Sequence, residues 1–281
     1  MQGKTVVITG ATSGIGEVAA IHLAEQGARI VFVARNPFRR DGLLTQLSIA
    51  NSSAKHAGYL ADLSKLSEMK RVAGEIAAAE PKIDVLINNA GALFSAREAT
   101  ADGLEMTFAT NHMAYFVITN LLLDRLKATP GARIVTTASD AHKSGKLKFD
   151  DLQAEKKYNA FGVYGTSKLC NILFTHELAR RLQGSGVTAN CLHPGFVATQ
   201  FGDNNDGMLG MLVGVAKRLI AITPEEGGKT IVYLASSPDV ATQSGGYYYK
   251  CALSTPSTAA QNDADAKRLW EISAKIAGVG A

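Results

Sequence analysis

Cysteine is scarce in this chain: three residues among 281, Cys170, Cys191 and Cys251, an odd number with no metal-ligand spacing. That scarcity excludes a disulfide framework and a cysteine-based zinc site, and a reducing, intracellular compartment is expected. Aromatic residues make up only 7%, with a single Trp, so the core must be built largely from aliphatic side chains. No apolar run is long enough to span a bilayer. The best candidate, residues 208–222, is too short, carries Lys217 and Arg218 and contains two glycines. Ahead of Lys4 there is no apolar segment to serve as a leader or anchor, so a soluble, cytoplasmic protein is expected. Charge of one sign is also lacking. The net charge is +4 and basic residues are scattered apart from pairs such as Arg39-Arg40 and Lys156-Lys157, which leaves no stripe to follow a nucleic-acid backbone. Repeats with periods of roughly 20–50 residues are absent, which excludes a solenoid.

What is present is glycine, 27 residues of it, and a regular alternation of apolar runs with amphipathic helical patterns. Strands are expected over 5–9, 29–34, 57–60, 85–88, 132–137, 187–192 and 246–250, most of them β-branched or continuously apolar, as strands covered on both faces must be. Helices are expected over 14–26, 43–50, 66–79, 103–127, 158–183 and 224–236. Alternation of this kind predicts a single α/β domain over 1–281: a doubly wound, mainly parallel sheet with helices on both faces and ligands at the carboxyl ends of the strands.

Two segments carry candidate chemistry at the cofactor end. After the first strand, Thr9-Gly10-Ala11-Thr12-Ser13-Gly14-Ile15-Gly16 leads into a helix. Glycines at such a turn let the backbone approach a pyrophosphate held by helix N-terminal N–H groups. The second strand ends Ala34-Arg35-Asn36, with no acid for a ribose 2′-hydroxyl. Arg35 is therefore free to pair with a 2′-phosphate, with Asn36 and Arg39 beside it, and NADP(H) is the expected cofactor.

A third segment, Tyr164-Gly-Thr-Ser-Lys168, sets a phenol and an ammonium one helical turn apart. A nearby ammonium favours the phenolate, so Lys168 is expected to bring Tyr164 down from its ordinary value of about 10 toward working range. Ser139 follows the apolar strand Ile134-Val135-Thr136-Thr137, where a substrate carbonyl would sit.

Taken in order, Thr9-Gly-x-x-x-Gly14-x-Gly16, Asp62-Leu63, Asn88-Asn89-Ala90-Gly91, Asn111, Ser139, Tyr164-x-x-x-Lys168 and Pro194-Gly195 resemble the short-chain dehydrogenase/reductase family across nearly the whole chain. The stretches Ser139-Asp-Ala-His142, Phe149-Asp-Asp-Leu152, 167–174 and His193-Pro194-Gly195 are similar to its retinol dehydrogenase and retinal reductase branch. Ser139 stands 25 residues before Tyr164, a spacing similar to that branch, and is assigned as the active serine in preference to Ser144.

The resemblance implies a Rossmann-type fold and a hydride transfer between NADP(H) and a carbonyl or alcohol, with an apolar aldehyde or ketone as the expected substrate. It implies cofactor contacts from Gly10, Thr12, Ser13, Gly14, Ile15, Gly16, Arg35, Asn36 and Arg39. Asp62 and Leu63 would lie near the adenine, and Asn89, Ala90 and Gly91 near its ribose and the central sheet. Pro194, Gly195, Val197 and Thr199 would close over the carboxamide. Tyr164 would donate and accept the proton, Ser139 would hold the oxygen, Lys168 would bind ribose, and Asn111 would hold the water chain feeding Lys168. A substrate loop is expected over about 196–224, with 208–222 either an apolar lid or a buried helix. The helices holding Asn111 and Tyr164 are the family's usual subunit surface, which implies a homodimer or homotetramer.

Two departures stand out: Ala138 where the branch usually has a second serine, and Ser13 where many NADP-preferring relatives carry Lys or Arg. Cofactor preference thus rests chiefly on Arg35. His112, His142 and His193 lack metal-ligand spacing and are expected to be structural. The rival readings are a catalytically silent NADP(H)-binding redox sensor, which would be favoured by a broken Ser139-Tyr164-Lys168 set, and a nucleotide-sugar epimerase or dehydratase, which would need a larger C-terminal portion.

Overall fold

The computed structural model describes residues 1–195 and 222–280. Eight strands form one sheet in the order β3-β2-β1-β4-β5-β6-β7-β8. They are β1 (Thr5–Thr9), β2 (Arg29–Ala34), β3 (Ala57–Leu60), β4 (Val85–Asn88), β5 (Arg133–Thr137), β6 (Thr188–Leu192), β7 (Tyr247–Tyr249) and β8 (Ala252–Ser254). All neighbours pair in parallel except β7 and β8. The order reverses between β1 and β4, and the cleft beyond their carboxyl ends is where a doubly wound sheet takes its ligand.

The strands are apolar on both faces because both are covered. Val6, Ile8, Ile30, Phe32, Val85 and Ile87 belong to one core cluster, packed by α1 (Gly14–Glu25), α2 (Pro37–Ala50) and α7 (Pro224–Ser236). Val7, Val31, Val33, Leu86 and Ile134, alternate positions on the same strands, belong to the opposite cluster. That side is packed by α3 (Leu66–Ala79), α5 (Ala114–Lys127), α6 (Ala160–Arg181) and α8 (Asp263–Ala277).

Three helices differ from the expected ones, and β8 is a strand beyond those expected. Helix α2 starts at Pro37, because Asn36 caps it by accepting from the Arg39 N–H and proline is preset for a first helical turn. The helix expected over 103–127 is broken into α4 (Met106–Phe108), a π turn (Ala109–Met113) and α5, with Asn111 on the π turn. Helix α8 was not anticipated. It is capped by Asn262, ends on Gly278 at φ 64°, and buries Leu269 and Trp270. Trp270 stacks on Phe174 of α6 at 5.8 Å and meets Phe116 of α5 at 4.9 Å. Residues 111–119 and 167–175 are consequently buried on every side, and the outward face of α5 and α6 is covered by this chain's own C-terminal helix. No helix among the described residues is long and apolar enough to cross a membrane.

Candidate active site

The cofactor cradle forms where the ends of β1 and β4 converge. Thr9, fully buried, accepts through Oγ1 from the N–H groups of Asn89 and Ala90 at 3.0 and 3.1 Å. Asn89 Nδ2 donates to the Gly10 carbonyl at 3.0 Å. These bonds draw the turn so close that a Cβ on Gly10 would lie 2.6 Å from Ala90 Cα, and one on Gly16 would lie 2.2 Å from the Gly10 oxygen. Only glycine fits either place. Ser13, the N-cap of α1, makes no side-chain capping bond. The first N–H groups of α1 are thus left without a side-chain cap, as an anion site at a helix N-terminus requires.

At the end of β2, Arg35 and Arg39 are exposed, and neither side chain has a hydrogen bond or ion pair among the described residues. Asn36 is committed to its cap. Arg40 pairs with Asp41 at 2.7 Å. Asp62, one strand over, accepts from the Ser64 N–H and hydroxyl through Oδ1, and lies 3.9 Å from Lys65 through Oδ2. Its side chain therefore shapes the turn after β3, and an adenine contact would use its remaining lone pairs. Leu63 is buried in the core, so only its backbone can face a ligand. Thr12 and Ile15 are part-buried on the cradle turn.

The proton-handling groups lie beyond β5. The Tyr164 hydroxyl hydrogen-bonds the Ser139 hydroxyl. Ser139 Oγ also accepts from the Ala141 N–H at 3.2 Å. Ser144 is exposed and donates to the Ala141 carbonyl, which leaves Ser139 as the serine at the site. Lys168 is buried; its Nζ donates to the Thr137 carbonyl at 3.1 Å and sits 5.7 Å from the ring centres of both Tyr164 and Tyr115. A Cβ on Gly91 would lie 3.3 Å from that Nζ and 3.4 Å from Asn111 Oδ1, so the missing side chain keeps the space between cradle and lysine open.

Desolvation sets the electrostatics here, and its outcome differs from the expected one. Burial pushes the Tyr164 phenol up to about 12, with the Ser139 hydrogen bond pulling the other way. It pushes Lys168 down to about 7. A lysine poised near neutrality carries only part of a charge, so it does not lower the phenol as the sequence spacing alone predicts. The Asn111 side chain is anchored on both sides of this space. Its Oδ1 accepts from the Ala92 N–H, and its Nδ2 donates to the Ala92 carbonyl and to Ser167 Oγ, at 2.8–3.0 Å. Both donors are spent fastening the strand-end turn to α6.

Pro194 and Gly195 follow β6, with Gly195 at φ 90°. Val197 and Thr199, and the expected loop apart from its last residues, lie outside the described residues. Sequence reasoning passed over Thr137 and Tyr115. The first acts through a backbone carbonyl, which leaves no trace in residue type. The second follows Asn111 by four residues, a spacing with no chemical signature of its own.

A family model described as short chain dehydrogenase matches residues 4–209. Retinol dehydrogenase 14 of Mus musculus is 40% identical over 291 residues, spanning 99% of this chain and 87% of that protein. Retinol dehydrogenase 13 of Homo sapiens is 39% identical, spanning 99% and 86%. A crystal structure of an uncharacterised protein from Mycobacterium paratuberculosis aligns with a TM-score of 0.79 at 30% identity, covering 99% of this chain and 94% of that one. The glycine cradle, the serine-tyrosine-lysine cluster and these likenesses agree: the chain belongs to the short-chain dehydrogenase family. It is an oxidoreductase acting between alcohols and carbonyls with a nicotinamide dinucleotide.

Proposed function

We propose that this enzyme is an NADP(H)-dependent reductase and dehydrogenase of apolar aldehydes or ketones and the matching alcohols, with Ser139, Tyr164 and Lys168 carrying the chemistry and Asn111 fixing the scaffold between them. The observation that carries this reading is the Tyr164–Ser139 hydroxyl pair at the carboxyl end of β5, with buried Lys168 against the tyrosine ring. Arg35, exposed at the end of β2 with nothing acidic beside it in sequence, supports NADP(H) over NAD(H). The retinol dehydrogenases it resembles support an apolar substrate. Reduced cysteines, two of them buried, support a cytoplasmic setting.

When bound, the nicotinamide supplies or takes the hydride. Ser139 has one lone pair committed to Ala141, which leaves its proton and a second lone pair for Tyr164 and a substrate oxygen. Tyr164, held protonated at neutral pH, donates to the same oxygen as negative charge develops there. Lys168, near its midpoint, can return that proton from the interior side. Alcohol oxidation needs the phenolate, and protonation of Lys168 is what would bring the phenol down.

The test is NADPH consumption over a panel of aldehydes and ketones that includes retinal and a long-chain aliphatic aldehyde. Tyr164→Phe should lower turnover by about 10²–10⁴ while NADPH binding stays intact. Turnover retained in that variant would sink the proton-donor role, and no turnover on any carbonyl would sink the substrate class.

A further inference from the structure

We infer that His142 is a positioning residue: its ring clamps the carbonyl of Ser139 on one side and is itself held by the backbone N–H of Ser257 on the other, fixing where the Ser139 hydroxyl points. The inference rests on the proposed role of Ser139 as the group that holds the substrate oxygen.

The geometry is specific. Ser139 caps a short 3₁₀ turn, Asp140–Ser144, and its carbonyl accepts from the His142 N–H at 3.1 Å and from His142 Nδ1 at 2.7 Å. A carbonyl cannot donate, so Nδ1 must carry the ring proton. Nε2 lies 3.0 Å from the Ser257 nitrogen, an N–H that cannot accept, so Nε2 must carry the lone pair. The two partners select one neutral tautomer. The ring is fully buried and stands edge-on to Tyr247 of β7 at 5.3 Å. The charged form would set two N–H groups against each other at Ser257. Burial also holds the imidazole below its ordinary range, with Asp140 opposing that shift and Lys143 adding to it.

Ser257 lies in the connection between β8 and α8, so His142 ties the turn bearing Ser139 to a segment more than a hundred residues away. The tie has a chemical use. Ser139 Oγ already accepts from Ala141, so any rotation of this turn moves that lone-pair direction and, with it, the proton offered to a substrate oxygen. Misplacement by about 1 Å at a reacting group costs on the order of a hundredfold in rate.

Two substitutions separate the halves of the clamp. His142→Asn keeps a side-chain donor where Nδ1 lies and loses the acceptor for Ser257. His142→Gln reaches the Nε2 position and loses the donor to Ser139. The inference expects kcat within about threefold for His142→Asn and a fall of about 10–100-fold for His142→Gln, with KM and NADPH binding little changed in both. Equal kcat in the two histidine variants, each shown folded by circular dichroism, would overturn it. So would a ring proton found on Nε2 by ¹⁵N NMR of the intact chain, a readout that needs no turnover. Absence of turnover in the parent enzyme would instead overturn the proposed function and leave the tautomer result to decide the clamp.

Discussion

Replacing Arg35 by alanine should separate the two nicotinamide dinucleotides. Arg35 is exposed at the end of β2 and its side chain has no hydrogen bond or ion pair among the described residues, so its removal breaks no such bond there and should leave thermal stability unchanged. With NADPH it would face a phosphate bearing close to two negative charges. A hydrogen bond to a charged group contributes about 1.5–3 kcal/mol, and solvent exposure favours the low end of that range. About 1.5–2 kcal/mol is roughly a 10–30-fold rise in the NADPH dissociation constant. NADH presents a hydroxyl at that place and should lose less than about twofold. Arg39, on the first turn of α2 and also exposed, supplies residual positive potential, so the double alanine variant should erase the preference. Arg35→Asp should invert it, because the carboxylate repels the phosphate and accepts from the hydroxyl. Fluorescence titration of each dinucleotide at low and high salt measures this directly, with kcat/KM as a second reading. Equal losses for both dinucleotides, or no loss for either, would refute the 2′-phosphate role.

Other perturbations test the cradle, the lysine and the C-terminal helix. Gly16→Ala should abolish dinucleotide binding and cost about 1–3 kcal/mol of stability, because its Cβ would fall 2.2 Å from the Gly10 oxygen; a cofactor-binding variant of parental stability would contradict this. Lys168→Met should abolish turnover yet stabilise the cofactor-free protein, and more at low pH than at high. The folded lysine is pushed down to about 7, so the unfolded chain binds more protons from there up to the ordinary lysine value, and the parent's stability rises with pH across that window. At about 1.4 kcal/mol per pH unit, the gain in the variant should be at most about 3 kcal/mol larger at about pH 6 than at about pH 9, and a pH-independent gain would show that the charge is not buried. Trp270→Ala should cost about 3–5 kcal/mol and promote self-association beyond the parent's own state, since Phe116 and Phe174 lose their cover; urea titration and light scattering would show it, and a variant of parental stability and size would mean that α8 is dispensable.

That role for α8 bears on what could be read in advance. Its cap Asn262, its apolar spacing at Ala266, Leu269, Trp270, Ala274 and Ala277, and its terminal Gly278 are all helix signals in the sequence. What they do not say is where the apolar face docks. His112 shows the same limit. It was expected to be structural, and it hydrogen-bonds Ser273 of α8 at 2.8 Å with burial holding it down to about 3, a partner 161 residues away. The π turn at Ala109–Met113 likewise has no composition that marks it, because it is a fit of backbone to the Ala92 turn made by Asn111.

The sequence by itself determined the βα rhythm through β7, the glycine turn after β1, the cation at the end of β2 and the Ser139, Tyr164 and Lys168 set, because each depends on residue type at short spacing along one element. Only the tertiary structure decided that Tyr164 is raised rather than lowered, that Lys168 leans on a Thr137 carbonyl, that Asn111 spends its side chain on scaffold, and that α8 covers α5 and α6. The physical reason is common to all four. Desolvation and backbone hydrogen bonding are set by atoms that arrive from distant segments, and neither residue type nor local spacing records which atoms those will be.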